Sequence, residues 1–128
     1  MSIEEVILKD FKKTIGRLEE VLRLRKTKII RDSAIKRFEL CFDLAWKSIK
    51  VYAKNQNVEC VSPRDCIKTA FQLKLIDYNE NWLKIIDDRN LTAHIYKEEY
   101  ADQVYSRLKM HLELFKNLYF QLKKSIKK

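Results

Sequence analysis

The densest group of reactive side chains lies between Arg89 and Tyr96: a guanidinium (Arg89), an amide (Asn90), an imidazole (His94) and a phenol (Tyr96). An imidazole exchanges protons near neutral pH. A guanidinium holds a phosphate through paired hydrogen bonds and needs no metal to do so. An Arg and a His facing one pocket are therefore a minimal kit for metal-free RNA cleavage. The histidine moves protons, the arginine stabilises the phosphorane charge, and the RNA 2′-OH attacks. Spacing sets a condition on this chemistry. Asn90 and His94 are four apart and share a face of a continuing helix, whereas Arg89 and His94 are five apart, about 140° around an ideal helix. The two converge if the helix ends or distorts between them, or if two subunits combine their sites. The competing reading is that His94 caps carbonyls at a helix end and that Tyr96 is packed.

Other groupings carry less. His94 and His111 are the only histidines, and no Cys-x-x-Cys occurs, so nothing has zinc spacing. Asp87-Asp88 and Glu98-Glu99 are adjacent and point apart on a helix. No metal site is expected. Gly16 is the only glycine, which rules out a P-loop or a dinucleotide-binding loop, and no cofactor is expected. Glu39, Asp43 and Lys47 stack on one helix face, with Asp43 and Lys47 in the favoured order for an ion pair. They form a solvated edge or a polar patch at a dimer or partner contact. Cys41, Cys60 and Cys66 cannot all pair within one chain, and are expected as free thiols in a reducing compartment.

Helices must position these groups. The pattern predicts a first helix from Ile3 to about Leu24, with Ile3, Ile7, Phe11, Ile15, Leu18 and Leu22 as one apolar stripe. A basic connection follows over residues 25–31. Asp32 or Ser33 is expected to cap a second helix running to about Asn55, whose stripe is Ile35, Phe38, Phe42, Ala45, Trp46, Ile49 and Ala53. Ser62-Pro63-Arg64-Asp65 reads as an N-cap, a first-turn proline and an acid near the positive end of the helix dipole. It opens a short third helix to about Leu75. Asn79 is placed to cap a fourth helix with Trp82, Leu83 and Ile86, which leads into Arg89. A long fifth helix, Glu98 to about Ser125, carries a seam of Ala101, Val104, Leu108, Leu112, Phe115, Leu118, Leu122 and Ile126. Lys123, Lys124, Lys127 and Lys128 suit the negative end of its dipole.

The expected fold is all-α: an antiparallel bundle of about five helices with a four-helix-bundle core, one domain over residues 1–128. One glycine and one proline argue against a β-sandwich or barrel, and an apolar fraction of 46% suffices for one core. No apolar run reaches the ~18 residues of a membrane span. Acids at Glu4 and Glu5 stand where a signal peptide would be basic, so the cytoplasm is the expected compartment. A net charge of +9 suits an anionic partner such as RNA or an acidic protein.

Arg89-Asn90-x3-His94-x-Tyr96 resembles the motif of the HEPN superfamily: Arg, a polar residue, three variable positions, His and, in one branch, a Tyr two residues later. The block Arg31-Asp32-Ser33-x-Ile35-x-Arg37-Phe38-Glu39-x3-Asp43-Leu44-x-Trp46-Lys47 is similar to the signature of the nucleotidyltransferase substrate-binding protein family, a HEPN branch. Ser62-Pro63-Arg64 also falls where that family has it. The resemblance covers about residues 3 to 120 and implies a homodimeric bundle associated with a minimal nucleotidyltransferase. Related HEPN toxins are metal-independent ribonucleases whose paired nucleotidyltransferase is the antitoxin. By resemblance, Arg89, Asn90 and His94 would be catalytic, and Tyr96 would accept AMP. A non-enzymatic docking, nucleotide-binding or RNA-binding subunit of the nucleotidyltransferase complex is the alternative.

Overall fold

A computed structural model of the chain describes residues 1–126. Lys127 and Lys128, part of the expected basic tail, lie outside them. The elements are α1 (Ile3–Leu22), α2 (Lys28–Asn55), α3 (Pro63–Gln72), α4 (Asn81–Leu91), a single 3-10 turn (Thr92–His94) and α5 (Glu98–Ile126). No strand occurs among the described residues. The three long helices α1, α2 and α5 pack on one another, with α3 against α2 and α4 against α5. This is the expected all-α bundle. No helix is long and apolar enough to cross a membrane.

Local chemistry sets the helix ends. The Ser2 hydroxyl accepts from the Glu5 amide, and the Glu5 carboxylate returns to the Ser2 amide, so α1 opens with a capping box. The second helix begins earlier than expected. Neither Asp32 nor Ser33 caps it; the Thr27 hydroxyl accepts from the Ile30 amide at 3.0 Å, and the basic stretch 28–31 is helical. It can be helical because Arg31 is neutralised by distant acids, which sequence spacing does not reveal. Ser62 caps α3 as expected. That helix stops at Gln72, before Lys74 takes a left-handed φ of 62°. Asn79 accepts from the Asn81 amide at 2.9 Å, but the N-cap position itself is Glu80, whose side chain makes no cap bond.

The core is centred on Phe115, which meets Phe11 at 6.3 Å, Phe38 at 6.1 Å and Trp82 at 6.1 Å between ring centroids. Leu18, Ile35, Ile49, Ile85, Leu108 and Leu118 belong to the same core and are fully buried. Most of the predicted α1 stripe is buried, but Ile3 is exposed at the first turn and Leu8 takes the interior place beside a half-buried Ile7.

The cysteines differ from expectation. Cys60 and Cys66 are joined as a disulfide with Cα atoms 5.0 Å apart, and only Cys41 is free. The Ser62–Pro63 entry into α3 folds the backbone so that Cys60, before the cap, faces Cys66 in the first turn. Cys41 is buried, and burial pushes its thiol up to about 12 against a weaker opposing bond with Thr14. It is an inert core thiol.

Candidate functional site

Arg89 stands in the last turn of α4, which ends at Leu91 and tightens into the 3-10 turn Thr92–His94. The helix therefore breaks between Arg89 and His94, one of the conditions for the two to escape the geometry of an unbroken helix. The Thr92 hydroxyl locks the break. It donates to the Arg89 carbonyl at 2.6 Å and accepts from Arg89 Nη1 at 3.1 Å.

The Arg89 guanidinium turns toward α2. Nη1 lies 2.9 Å from Glu39 Oε2, and Nε lies 3.7 Å from Asp43 Oδ1. The carboxylates of the Glu39–Asp43–Lys47 row thus serve Arg89 rather than forming only a solvated edge, and no Asp43–Lys47 ion pair occurs among the described residues. About a third of the Arg89 side chain, 31%, stays exposed.

His94 ends the 3-10 turn, exposed, and its Nδ1 lies 3.3 Å from the Tyr96 hydroxyl. Tyr96 is 74% exposed, so its ring is not packed into the core. The His94 carbonyl accepts from the Lys97 amide at 3.1 Å; backbone, rather than the imidazole, satisfies this helix end. Asn90 is exposed. No hydrogen bond joins Arg89 to His94 among the described residues. One chain thus presents two half-sites, Arg89 with its carboxylates and His94 with Tyr96.

Two polar clusters, one before the turn and one after it, hold it in place. Asp88 accepts from Arg107 Nε at 2.8 Å and Nη2 at 2.7 Å, and lies 2.6 Å from His111 Nε2. Asp88 and His111 are buried, and the His111 ring stacks on Phe38 at 5.5 Å. Burial alone would raise the Asp88 carboxyl, but the hydrogen bonds from Arg107 and His111 outweigh it and hold the pKa below the ordinary value. After the turn, Arg31, 3% exposed, binds Glu98 at 2.6 Å, Asp32 at 3.0 Å and Asp102 at 3.1 Å. Lys26 also reaches Asp102, at 3.0 Å. The hydrogen bond to Glu98 leads the causes that raise Arg31, and Glu98 and Asp102 are lowered in return, Glu98 chiefly by Arg31 and Asp102 by Lys26 and Arg31. Sequence reading missed both clusters. A signal existed for His111, which interrupts the α5 seam between Leu108 and Leu112 and so needed a buried partner.

Among the described residues, no three His, Cys, Asp or Glu side chains cluster as metal ligands.

Similarity to known proteins follows this architecture. A solved protein from Thermus thermophilus is 31% identical, with a TM-score of 0.82 over 88% of this chain and 98% of its own. A Shewanella oneidensis HEPN toxin, solved tri-AMPylated in complex with MNT antitoxin, is 23% identical, with a TM-score of 0.77 over 97% of this chain and 99% of its own. At that identity the likeness establishes the fold alone. A curated relative, the probable ribonuclease HepT of Haemophilus influenzae, is 28% identical over 80 residues. That match covers 59% of this chain, which spans about half, 55%, of the relative's length. The family model described as "Nucleotidyltransferase substrate binding protein like" matches residues 7–124, reaching into all five helices and across the Arg89–Tyr96 turn, and the chain belongs to that family.

Proposed function

We propose that this chain is the HEPN-type partner of a minimal nucleotidyltransferase and the toxin of such a pair, a metal-independent ribonuclease acting in the cytoplasm. The observation that carries the reading is the pairing of an exposed His94 imidazole with an exposed Tyr96 phenol, close in the chain to a partly exposed Arg89. With Nδ1–H donating to the Tyr96 oxygen, Nε2 carries the lone pair and faces solvent as a general base. It takes the proton of an RNA 2′-OH, whose oxygen attacks the adjacent phosphorus and expels the 5′-oxygen, which leaves as a hydroxyl on taking a proton from water. Arg89 stabilises the phosphorane charge, and Asn90 orients the strand. Because no hydrogen bond joins the two half-sites of one chain among the described residues, the reading includes a homodimer in which Arg89 and His94 from both subunits line one cleft. Tyr96 is the proposed AMP acceptor. Its oxygen bonds the α-phosphorus of ATP and pyrophosphate leaves; for this step His94 takes its other tautomer, with the lone pair on Nδ1, and receives the phenol proton there. The added phosphate and adenosine would fill the cleft without a change of fold.

The carboxylates of Glu39 and Asp43 favour a second reading. They already occupy Arg89 in the single chain, as suits a docking subunit whose arginine is structural. Incubating the pure protein with mixed RNA in EDTA separates the two. Cleavage to 2′,3′-cyclic phosphate ends, lost in His94→Ala, supports the ribonuclease. Strict dependence on Mg²⁺ refutes its mechanism, and no cleavage with a stable nucleotidyltransferase complex supports docking.

A further inference from the structure

A groove of about 350 Å³ runs between α1 and α2, lined by Lys13, Arg17, Ser33, Lys36, Arg37 and Leu40, with no acid in its wall. We infer that this groove binds a nucleotide of a single-stranded RNA segment that flanks the bond cut at Arg89 and His94. The inference rests on the ribonuclease reading for its direction, but not for its geometry.

Charge points to an anion. Lys13, Arg17 and Lys36 make no ion pair among the described residues. Arg37 is set in place by donating to the Arg17 carbonyl at 2.7 Å, and its one acid, Glu20, stands at 3.4 Å. The groove therefore has a cation fixed across the α1–α2 seam and three others free to move. Its floor points to more than phosphate. Leu40 is 44% exposed, and the aliphatic stems of the lysines and arginines line the walls beside it. An apolar floor under a cationic rim matches a base with its phosphate better than it matches an inorganic ion.

Position links the groove to the turn. Leu40 follows Glu39, the residue that holds Arg89, and Lys36 lies one turn before Leu40 on the same helix. Arg89 and the groove thus both abut the same turn of α2, a helix ~10–12 Å across. A strand laid across α2 reaches both.

The test measures binding of a short labelled single-stranded RNA to the full chain carrying His94→Ala, which keeps the probe intact. Adding Lys13→Glu and Lys36→Glu, both at exposed sites, is expected to weaken binding at least tenfold at ~0.1 M salt. It should also make the salt dependence shallower by roughly 0.7 in slope for each phosphate no longer held. Leu40→Asp should weaken RNA binding more than it weakens binding of inorganic polyphosphate. Unchanged RNA affinity in the double charge reversal overturns the inference. So does displacement of the RNA by polyglutamate as readily as by unlabelled RNA, which would assign the groove to an acidic protein segment. The outcome is independent of the cleavage reading: groove-dependent binding in a chain that cuts no RNA keeps the groove and drops the nuclease. Cleavage unaffected by the charge reversals does the opposite.

Discussion

Arg89 of α4 and Glu39 of α2 are far apart in sequence, and their charged groups meet at 2.9 Å. The carboxylate fixes where the guanidinium stands and at the same time draws off part of its charge. Under the ribonuclease reading this makes Glu39 a positioning residue. Glu39→Gln should slow RNA cleavage by roughly 10- to 100-fold, since small misplacements at a reacting centre have effects of that size. Stability should change by no more than about 1 kcal/mol, as for other partly solvated ion pairs. Single-turnover cleavage and thermal melting check the two halves; equal rates would show that Glu39 does not place Arg89.

The Asp88 cluster should behave in the opposite way. Asp88→Ala leaves Arg107 and the buried His111 without their acceptor, and a loss of about 2–4 kcal/mol is expected. The Asp88 carboxyl is held below its ordinary value in the folded chain. Its contribution is therefore complete above the unfolded value of about 3.9 and fades as the pH falls toward the folded one. Glu98 and Asp102 are lowered too and add to the same acid limb. Denaturant melts at stepwise lower pH should show stability falling below about pH 4 in the native chain and falling less steeply in Asp88→Ala.

Reduction of Cys60–Cys66 frees no catalytic group but loosens the entry to α3. For a loop this short, the chain-entropy argument gives about 2 kcal/mol. A melt with and without dithiothreitol reads it. Cys60→Ser should reproduce the reduced value, while a melting point indifferent to reductant would mean that the two thiols are not joined in solution.

Tyr96→Phe should leave the fold in place, because the phenol lies outside the core, and should slow RNA cleavage without abolishing it, because Nδ1–H loses the acceptor that favours the lone pair on Nε2. Co-expression with a minimal nucleotidyltransferase of the proposed pair should then add AMP to the native chain but not to the variant, by intact mass. AMP retained on Tyr96→Phe would move the acceptor elsewhere.

Light scattering at micromolar concentration should give twice the monomer mass, with an interface burying more than ~1,000 Å² in total. A monomer throughout would remove the shared cleft that the ribonuclease reading requires.

The helices were readable from sequence because their apolar spacing repeats locally: Phe11, Ile15, Leu18 and Leu22 in α1, and Leu108, Leu112 and Phe115 in α5, are all buried. Ser62-Pro63 was readable because a cap and its helix are neighbours. What escaped is what contacts at long range decide. Residues 28–31 look like a charged loop until Glu98 and Asp102 arrive from the far end of the chain. Glu39 and Asp43 look like a solvated edge along their own helix until Arg89 reaches them from α4. Cys60 and Cys66 look like free thiols until the turn into α3 brings them together. The reactive types at Arg89, Asn90, His94 and Tyr96 could be picked out in advance, but the division into two half-sites could not, because it depends on where the helix breaks.

The turn that carries His94 and Tyr96 hangs between Asp88 with its partners on one side and Arg31 with its acids on the other, and neither anchor uses the exposed side chains it displays. Foldability and reactivity can therefore be inherited separately. A lineage could lose His94 or Tyr96 by drift and still make the same bundle, which under the proposed reading is an inert copy able to compete for the same partner. It could equally exchange those side chains for others in a few codon changes, without first having to rescue a collapsing scaffold.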